Sequence, residues 1–180
     1  GERHTEIVTG ATTAGVHVHE CTPEVLAAMS DTDAPQGLLA VCRVLTVSLA
    51  DVLARRPQLV LVLAHVRDPG NAGTVLRGAD AAGADAVIVS EASVDVFSPK
   101  VVRSTAGSLF HLPVVTGLPV PQILADLRGS GLICLAADGG GTRLLPEVDL
   151  TAPHAWVMGN EAWGLPLPLR EACDEVVRVP

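Results

Sequence analysis

Aromatic side chains are nearly missing from this chain. Its 180 residues include two Phe, two Trp and no Tyr, so platforms on which nucleic-acid bases stack are scarce. Basic residues are the minority, 12 Lys and Arg against 20 Asp and Glu, for a formal net charge of -8. The basic face usual in a nucleic-acid-binding domain is therefore not visible in the composition, and composition taken alone favours a small-molecule enzyme. No apolar run reaches the length of a membrane span; the longest, residues 59–64, is strand-sized. The polar start Gly1-Glu2-Arg3-His4-Thr5-Glu6 does not read as a secretory leader, and a cytoplasmic location is expected. Cys21, Cys42, Cys134 and Cys173 lie far apart, with no CxxC pair or zinc-type spacing. Three of them sit in apolar surroundings and are expected as buried free thiols. The six histidines form no HExxH or other ligand pattern, so no metal site is expected.

What is present is a chain able to bury a core: 48% hydrophobic, with 17 Gly and 13 Pro to turn it. Low hydrophobicity with high charge would signal disorder, and this is the opposite. From residue 58 onward strand and helix signals alternate. Residues 59–64 form a continuous apolar run, as in a strand buried on both faces. Ala72, Val75, Leu76, Ala79 and Ala82 then fall on one helical face, and Gly83 ends it. Strands are expected at 86–89, 112–115, 132–137, 155–158 and 175–179; helices open at Ser98-Pro99, cover 121–127 and cover 167–173. Alternating βα units predict an α/β fold, a parallel sheet with helices on both faces. The first 43 residues differ: short strands at 16–19 and 37–43 flank a helix opened by Thr22-Pro23. That is too little for a stable domain alone.

Two strand ends carry the chemistry. Asp68-Pro69-Gly70-Asn71-Ala72-Gly73-Thr74-Val75-Leu76-Arg77 follows the first long strand, and Gly159-Asn160-Glu161-Ala162-Trp163-Gly164 follows the strand at 155–158. Polar, glycine-bearing turns at strand ends are where α/β proteins bind ligands. Asn71 is placed as a helix N-cap, and Arg77 would be a solvated arginine on an alanine-rich helix. Gly139-Gly140-Gly141 has neither the Lys-Ser/Thr of a P-loop nor a GxGxxG fingerprint, and is read as a flexible turn.

Together the two turns resemble the motif pair of SPOUT-class RNA ribose methyltransferases, the TrmH-type branch, over residues 58–180. The resemblance implies a catalytic Arg77 with Asn71 beside it, and a Glu161 that braces the active-site loops. A guanidinium is never deprotonated in proteins, so Arg77 is assigned to an RNA phosphate and to the developing oxyanion. It also implies S-adenosyl-L-methionine held by Gly159, Asn160 and the residue before the final proline, Val179, with Ala137 as a weaker candidate for the pocket wall. A homodimer and a trefoil-knotted core follow from the family, as does a third motif, a Ser-Leu-Asn segment that would come after Pro180 and close the pocket.

Ser30 through Gly37 fits the Ser-x-x-x-x-Pro-Gln-Gly pattern of the ribosomal-protein-like RNA-binding domain in rRNA members of that family. The expected organisation is a partial N-terminal RNA-binding domain at 1–43, a connection at 44–57, and a methyltransferase domain at 58–180 without its third motif. The implied activity is 2′-O-ribose methylation of RNA, 23S rRNA above tRNA, with Arg43, Arg55, Arg56, Arg77 and Arg103 as local positive charge. Two rivals stand beside it. Acidity and the lacking third motif favour a non-catalytic RNA- or ribosome-binding protein, and charge alone favours a small-molecule nucleotide-binding α/β protein.

Overall fold

A computed structural model describes residues 4–179. It divides into two compact units, Gly1–Arg43 and Val44–Pro180. The first contains α1 (Thr5–Thr13) and α2 (Pro23–Met29). α2 starts as its sequence requires: Thr22 Oγ1 accepts the Val25 N–H at 3.4 Å and Pro23 occupies the first helical turn. The strands expected at 16–19 and 37–43 do not form. A strand needs a neighbouring strand to take its N–H and C=O groups, and among the described residues no ladder includes either segment. α1 was not foreseen, because Thr5–Thr13 mixes β-branched residues with a glycine and has low helix propensity. No described residue of this unit is buried. Local bonds hold it, such as the hydroxyls of Thr12 and Thr13 to the carbonyls of Val8 and Thr9.

The second unit runs α3 (Leu49–Ala54), β1 (Leu59–Leu63), α4 (Pro69–Ala81), β2 (Ala86–Ser90), α5 (Pro99–Ser104), β3 (Val114–Leu118), α6 (Val120–Gly129), β4 (Ile133–Ala137), β5 (Arg143–Leu144), β6 (His154–Met158), α7 (Leu167–Glu171) and β7 (Glu175–Arg178). The strands form one sheet in the order β3-β2-β1-β6-β4-β7-β5, parallel at every pairing. This is the α/β class expected from the alternation. Successive residues of a strand point to opposite faces, and the core divides accordingly. Val60, Val62, Ile88, Cys134, Ala136 and Val157 pack with α3 and α6 on one face. Leu61, Leu63, Val87 and Val89 pack with Ala72, Leu76 and Ala79 of α4 and with Val101 of α5 on the other. Residues 44–57, expected as a connection, include α3, capped by Ser48 Oγ on the Asp51 N–H at 3.1 Å, with Leu49 and Val52 buried in the core.

The strand order places the site. β1, β2 and β3 run outward in one direction; the chain then crosses back and builds β4, and β6 inserts between β1 and β4. Strand order reverses there, and a crevice opens beyond the carboxyl ends.

Candidate active site

β1 and β6 are neighbours in register, Leu63 opposite Met158. The loops leaving their carboxyl ends therefore emerge side by side, although Asp68 and Glu161 are 93 positions apart in sequence. The first loop turns sharply at His65, whose φ of 60° lies in the left-handed region that a non-glycine residue seldom adopts. Its backbone is held on both sides: the N–H donates to Ser90 Oγ at 3.1 Å and the carbonyl accepts Asn160 Nδ2 at 3.0 Å. The second loop closes on itself, Asn160 N–H to Gly164 O at 3.0 Å and Gly164 N–H to Asn160 O at 2.8 Å. Asn160 is 5% exposed. Its Oδ1 accepts the Ala162 N–H at 2.8 Å, so both ends of the amide are committed to the loops. Glu161, exposed, accepts the Asp68 N–H on Oε1 at 3.3 Å, a second tie between them. Arg67 lies over the ring of Trp163 at 5.6 Å, a third.

α4 carries the remaining residues of the first motif. Its N-cap is Asp68, whose Oδ1 accepts the Asn71 N–H at 2.8 Å. That corrects the expectation that Asn71 is the cap: Asn71 sits inside the first turn with its side chain exposed. The Pro69 ring, with its preset φ, suits the position right after the cap, which pushes the boundary back to Asp68. Arg77 is exposed and, among the described residues, its side chain forms no hydrogen bond or ion pair. Six helical positions separate Asn71 from Arg77, about 9 Å along the axis, so the two side chains address different parts of anything bound there. Gly73 has a packing cause: a Cβ there would fall within 2.8 Å of the Ser104 backbone carbon. Ser104 Oγ donates to the Pro69 carbonyl at 2.9 Å, locking α5 against the start of α4.

The residues expected around a cofactor share the next stretch of the same edge. Ala137 ends β4 opposite Met158 of β6 and Val177 of β7. Gly159 and Val179 follow those two strands, and Val179 is 74% exposed. Ala137, Gly159 and Val179 thus sit at three adjacent strand ends and expose mostly backbone and short side chains. Gly159 has a cause within the fold. A Cβ there would lie 2.4 Å from the Gly164 carbonyl carbon and 2.5 Å from Leu165 N, so the chain passes against its own backbone.

Asp138 was not singled out from the sequence. Its Oδ1 accepts the Gly140 N–H at 2.8 Å and pairs with Arg170 Nη1 at 3.0 Å. The backbone bond from Gly140, then those from Leu165 and Arg170, hold its carboxyl below the usual carboxylate range against the opposing effect of burial. Asp138 thereby ties the Gly-rich turn after β4 to the Gly164-Leu165 segment and to α7. The available signal was an acid between a strand and three glycines. Beside it, Gly140, Gly141, Thr142, Leu167, Arg170 and Val176 line an open cavity of about 320 Å³. No group of His, Cys, Asp or Glu suited to a metal occurs among the described residues, and no helix among them is long and apolar enough to cross a membrane.

Residues 58–180 match the SpoU rRNA Methylase family, and residues 1–47 match the RNA 2′-O ribose methyltransferase substrate binding family. The chain is 34% identical over 166 residues to the 23S rRNA (guanosine(2553)-2′-O)-methyltransferase RlmP of Bacillus subtilis, covering 92% of this chain and 64% of that protein. It is 33% identical over 171 residues to the 23S rRNA (guanosine-2′-O-)-methyltransferase RlmB of Bordetella pertussis, covering 93% and 70%. A solved structure of an AdoMet-bound rRNA methyltransferase from Sinorhizobium meliloti resembles it with a TM-score of 0.80 at 30% identity, covering 99% of this chain and 69% of the other. The chain spans about three fifths of the length of several curated relatives it matches.

Proposed function

Because the chain belongs to the SpoU rRNA methylase family, we propose that it carries the core of an S-adenosylmethionine-dependent RNA 2′-O-ribose methyltransferase, that its substrate is ribosomal RNA, and that it works as a homodimer. One observation supports this reading: the loop that opens α4, the helix bearing the exposed Arg77, leaves β1 beside β6, and the backbone-rich edge of Ala137, Gly159 and Val179 ends the adjoining strands. The match of residues 1–47 to a substrate-binding family favours RNA over a small molecule.

Bound at that edge, S-adenosylmethionine would supply an electrophilic methyl group. The edge fits it chemically, since backbone N–H and C=O groups at three strand ends can read an adenine and a ribose while the small side chains of Ala137 and Gly159 leave room. Arg77 binds an RNA phosphate and stabilises the charge that develops on the ribose 2′-oxygen. It stays protonated throughout and so takes no proton. Glu161 holds the Asp68 N–H and Asn160 holds the His65 carbonyl, which keeps both loops at fixed distance from the reacting atoms.

The test combines calorimetry with mapping of ribose methylation on rRNA. Wild type should bind S-adenosylmethionine. Arg77→Ala should bind it with nearly the same affinity while methylating about a hundred- to a thousand-fold more slowly, the usual loss for one electrostatic contact to a transition state. A wild-type rate in Arg77→Ala makes Arg77 only a solvated helix residue, and absence of cofactor binding in wild type removes the assignment altogether.

A further inference from the structure

We propose that Arg67 and Trp163 form a clamp that stacks an unpaired RNA base next to the reacting ribose, so that this pair selects and positions the RNA strand. The inference rests on the RNA methyltransferase reading above and adds the surface by which the substrate is held.

Trp163 is 55% exposed, although a ring of that size is usually buried. It stands at the tip of the 160–164 turn, which is closed by the two mutual hydrogen bonds of Asn160 and Gly164 and braced inside by Asn160 Oδ1. The ring is thus displayed from a fixed turn. Arg67 approaches it to 5.6 Å from the loop opposite, is itself exposed, and among the described residues has no carboxylate partner. An arginine stacked on an indole keeps its N–H edge free for phosphate oxygens, and its charge is held in place before any ligand arrives.

The position matters as much as the chemistry. Arg67 precedes Asp68 and Trp163 lies two residues after Glu161, and Asp68 and Glu161 are themselves hydrogen-bonded. The clamp therefore borders the proposed reacting centre. The chain's other exposed aromatic, Phe110, precedes β3 and lies toward the opposite, amino end of the sheet. Phe97 and Trp156 are packed against the core. In a chain of net charge -8 with four aromatic residues, one exposed Arg–Trp pair at the site supplies the stacking and positive charge that the overall composition lacks. A paired base inside a helix offers no free face, so the clamp requires an unpaired nucleotide.

The experiment uses the whole protein with three probes: a short single-stranded oligoadenylate, the matching RNA duplex and a 23S rRNA transcript. Oligoadenylate should quench the tryptophan fluorescence of wild type, the duplex should quench it weakly, and Trp163→Phe, which keeps Trp156, should lose the quench. Trp163→Ala should raise KM for the transcript by about ten- to a hundred-fold, the range for losing one stacked base, with S-adenosylmethionine affinity and Tm unchanged. Trp163→Phe should restore most of that loss. Arg67→Ala should weaken RNA binding and lower the slope of affinity against salt by about one charge. Wild-type KM and RNA affinity in Trp163→Ala, while the wild type methylates the transcript, overturn the clamp and leave the enzyme reading standing. A wild type that binds none of the RNAs overturns both. If Trp163→Ala shifts the monomer–dimer balance while KM at equal dimer fraction stays the same, Trp163 is an interface residue and the clamp is wrong.

Discussion

Adjacent residues in the second motif divide one task. Asn160 is buried and spends both ends of its amide on the two loops, whereas Glu161 is exposed and holds the neighbouring loop through a single backbone N–H. These bonds give the Asn160 side chain a bracing role in the loops, beside the cofactor contact expected of the residue. The cysteines show how strongly surroundings decide a residue's chemistry. Burial first, and then the negative charge of Asp174, push the Cys134 thiol up to about 12 and that of Cys173 to about 11. Cys21 and Cys42 are exposed, where the sequence led us to expect three buried thiols. Since the thiolate is the reactive form, alkylation at pH 8 should label Cys21 and Cys42 quickly and spare Cys134 and Cys173 until denaturant is added. Peptide mass mapping decides this, and equal labelling of all four would contradict the burial of the β4–α7 contact.

At the scale of an element, α4 contains two glycines that should respond oppositely to the same change. A Cβ at Gly78 would meet nothing within 4 Å, whereas at Gly73 it would collide with Ser104. Alanine at Gly78 should stabilise the protein by about 0.5–1 kcal/mol through the lost flexibility of glycine. Alanine at Gly73 should destabilise it by about 1–3 kcal/mol, because α5 has to be pushed off the start of α4. Denaturant unfolding of both variants reads the sign directly, and equal stability would mean that α5 yields without cost. The same reasoning applies to Gly159. A valine there loads the Gly164-Leu165 backbone before it touches any cofactor, so lost cofactor binding in that variant reports a disturbed turn.

For the whole molecule, Asp138 links three segments at the carboxyl edge of the sheet, and its charge is part of the linkage. Its folded-state pKa is depressed. The stability it contributes is therefore fully present above the unfolded value of about 3.9 and is lost as pH falls below that toward the depressed one. Asp138→Asn should be less stable than wild type at pH 7, and the gap should shrink in denaturation midpoints measured below pH 4. A gap that persists unchanged would mean that the carboxylate's charge contributes nothing. Exposed Leu167 and Val179 lie at this same edge, apolar surface of the kind a dimer would cover. Obligate homodimers bury on the order of 2,000 Å² or more, and light scattering at micromolar concentration should report twice the protomer mass. A monomer that methylates RNA would contradict the proposed dimer.

Much of the sheet was legible because its cause is local. A run such as Leu59–Leu63 has one reading once glycine and proline bound it, and the helical period of Ala72, Leu76 and Ala79 needs no tertiary knowledge. The two motif strings were legible too, since each is a contiguous stretch at a strand end. Sequence left undetermined whatever depends on a partner distant in the chain. Residues 16–19 and 37–43 have strand-like patterns but no ladder to join, α3 is a helix because Leu49 and Val52 find the core, and Asp68 rather than Asn71 caps α4 because Pro69 follows it. The crevice itself is a tertiary product. Only the insertion of β6 beside β1 sets Glu161 on Asp68 and Trp163 under Arg67, since hydrogen bonds and ring contacts act over a few ångströms and ignore a separation of some ninety residues.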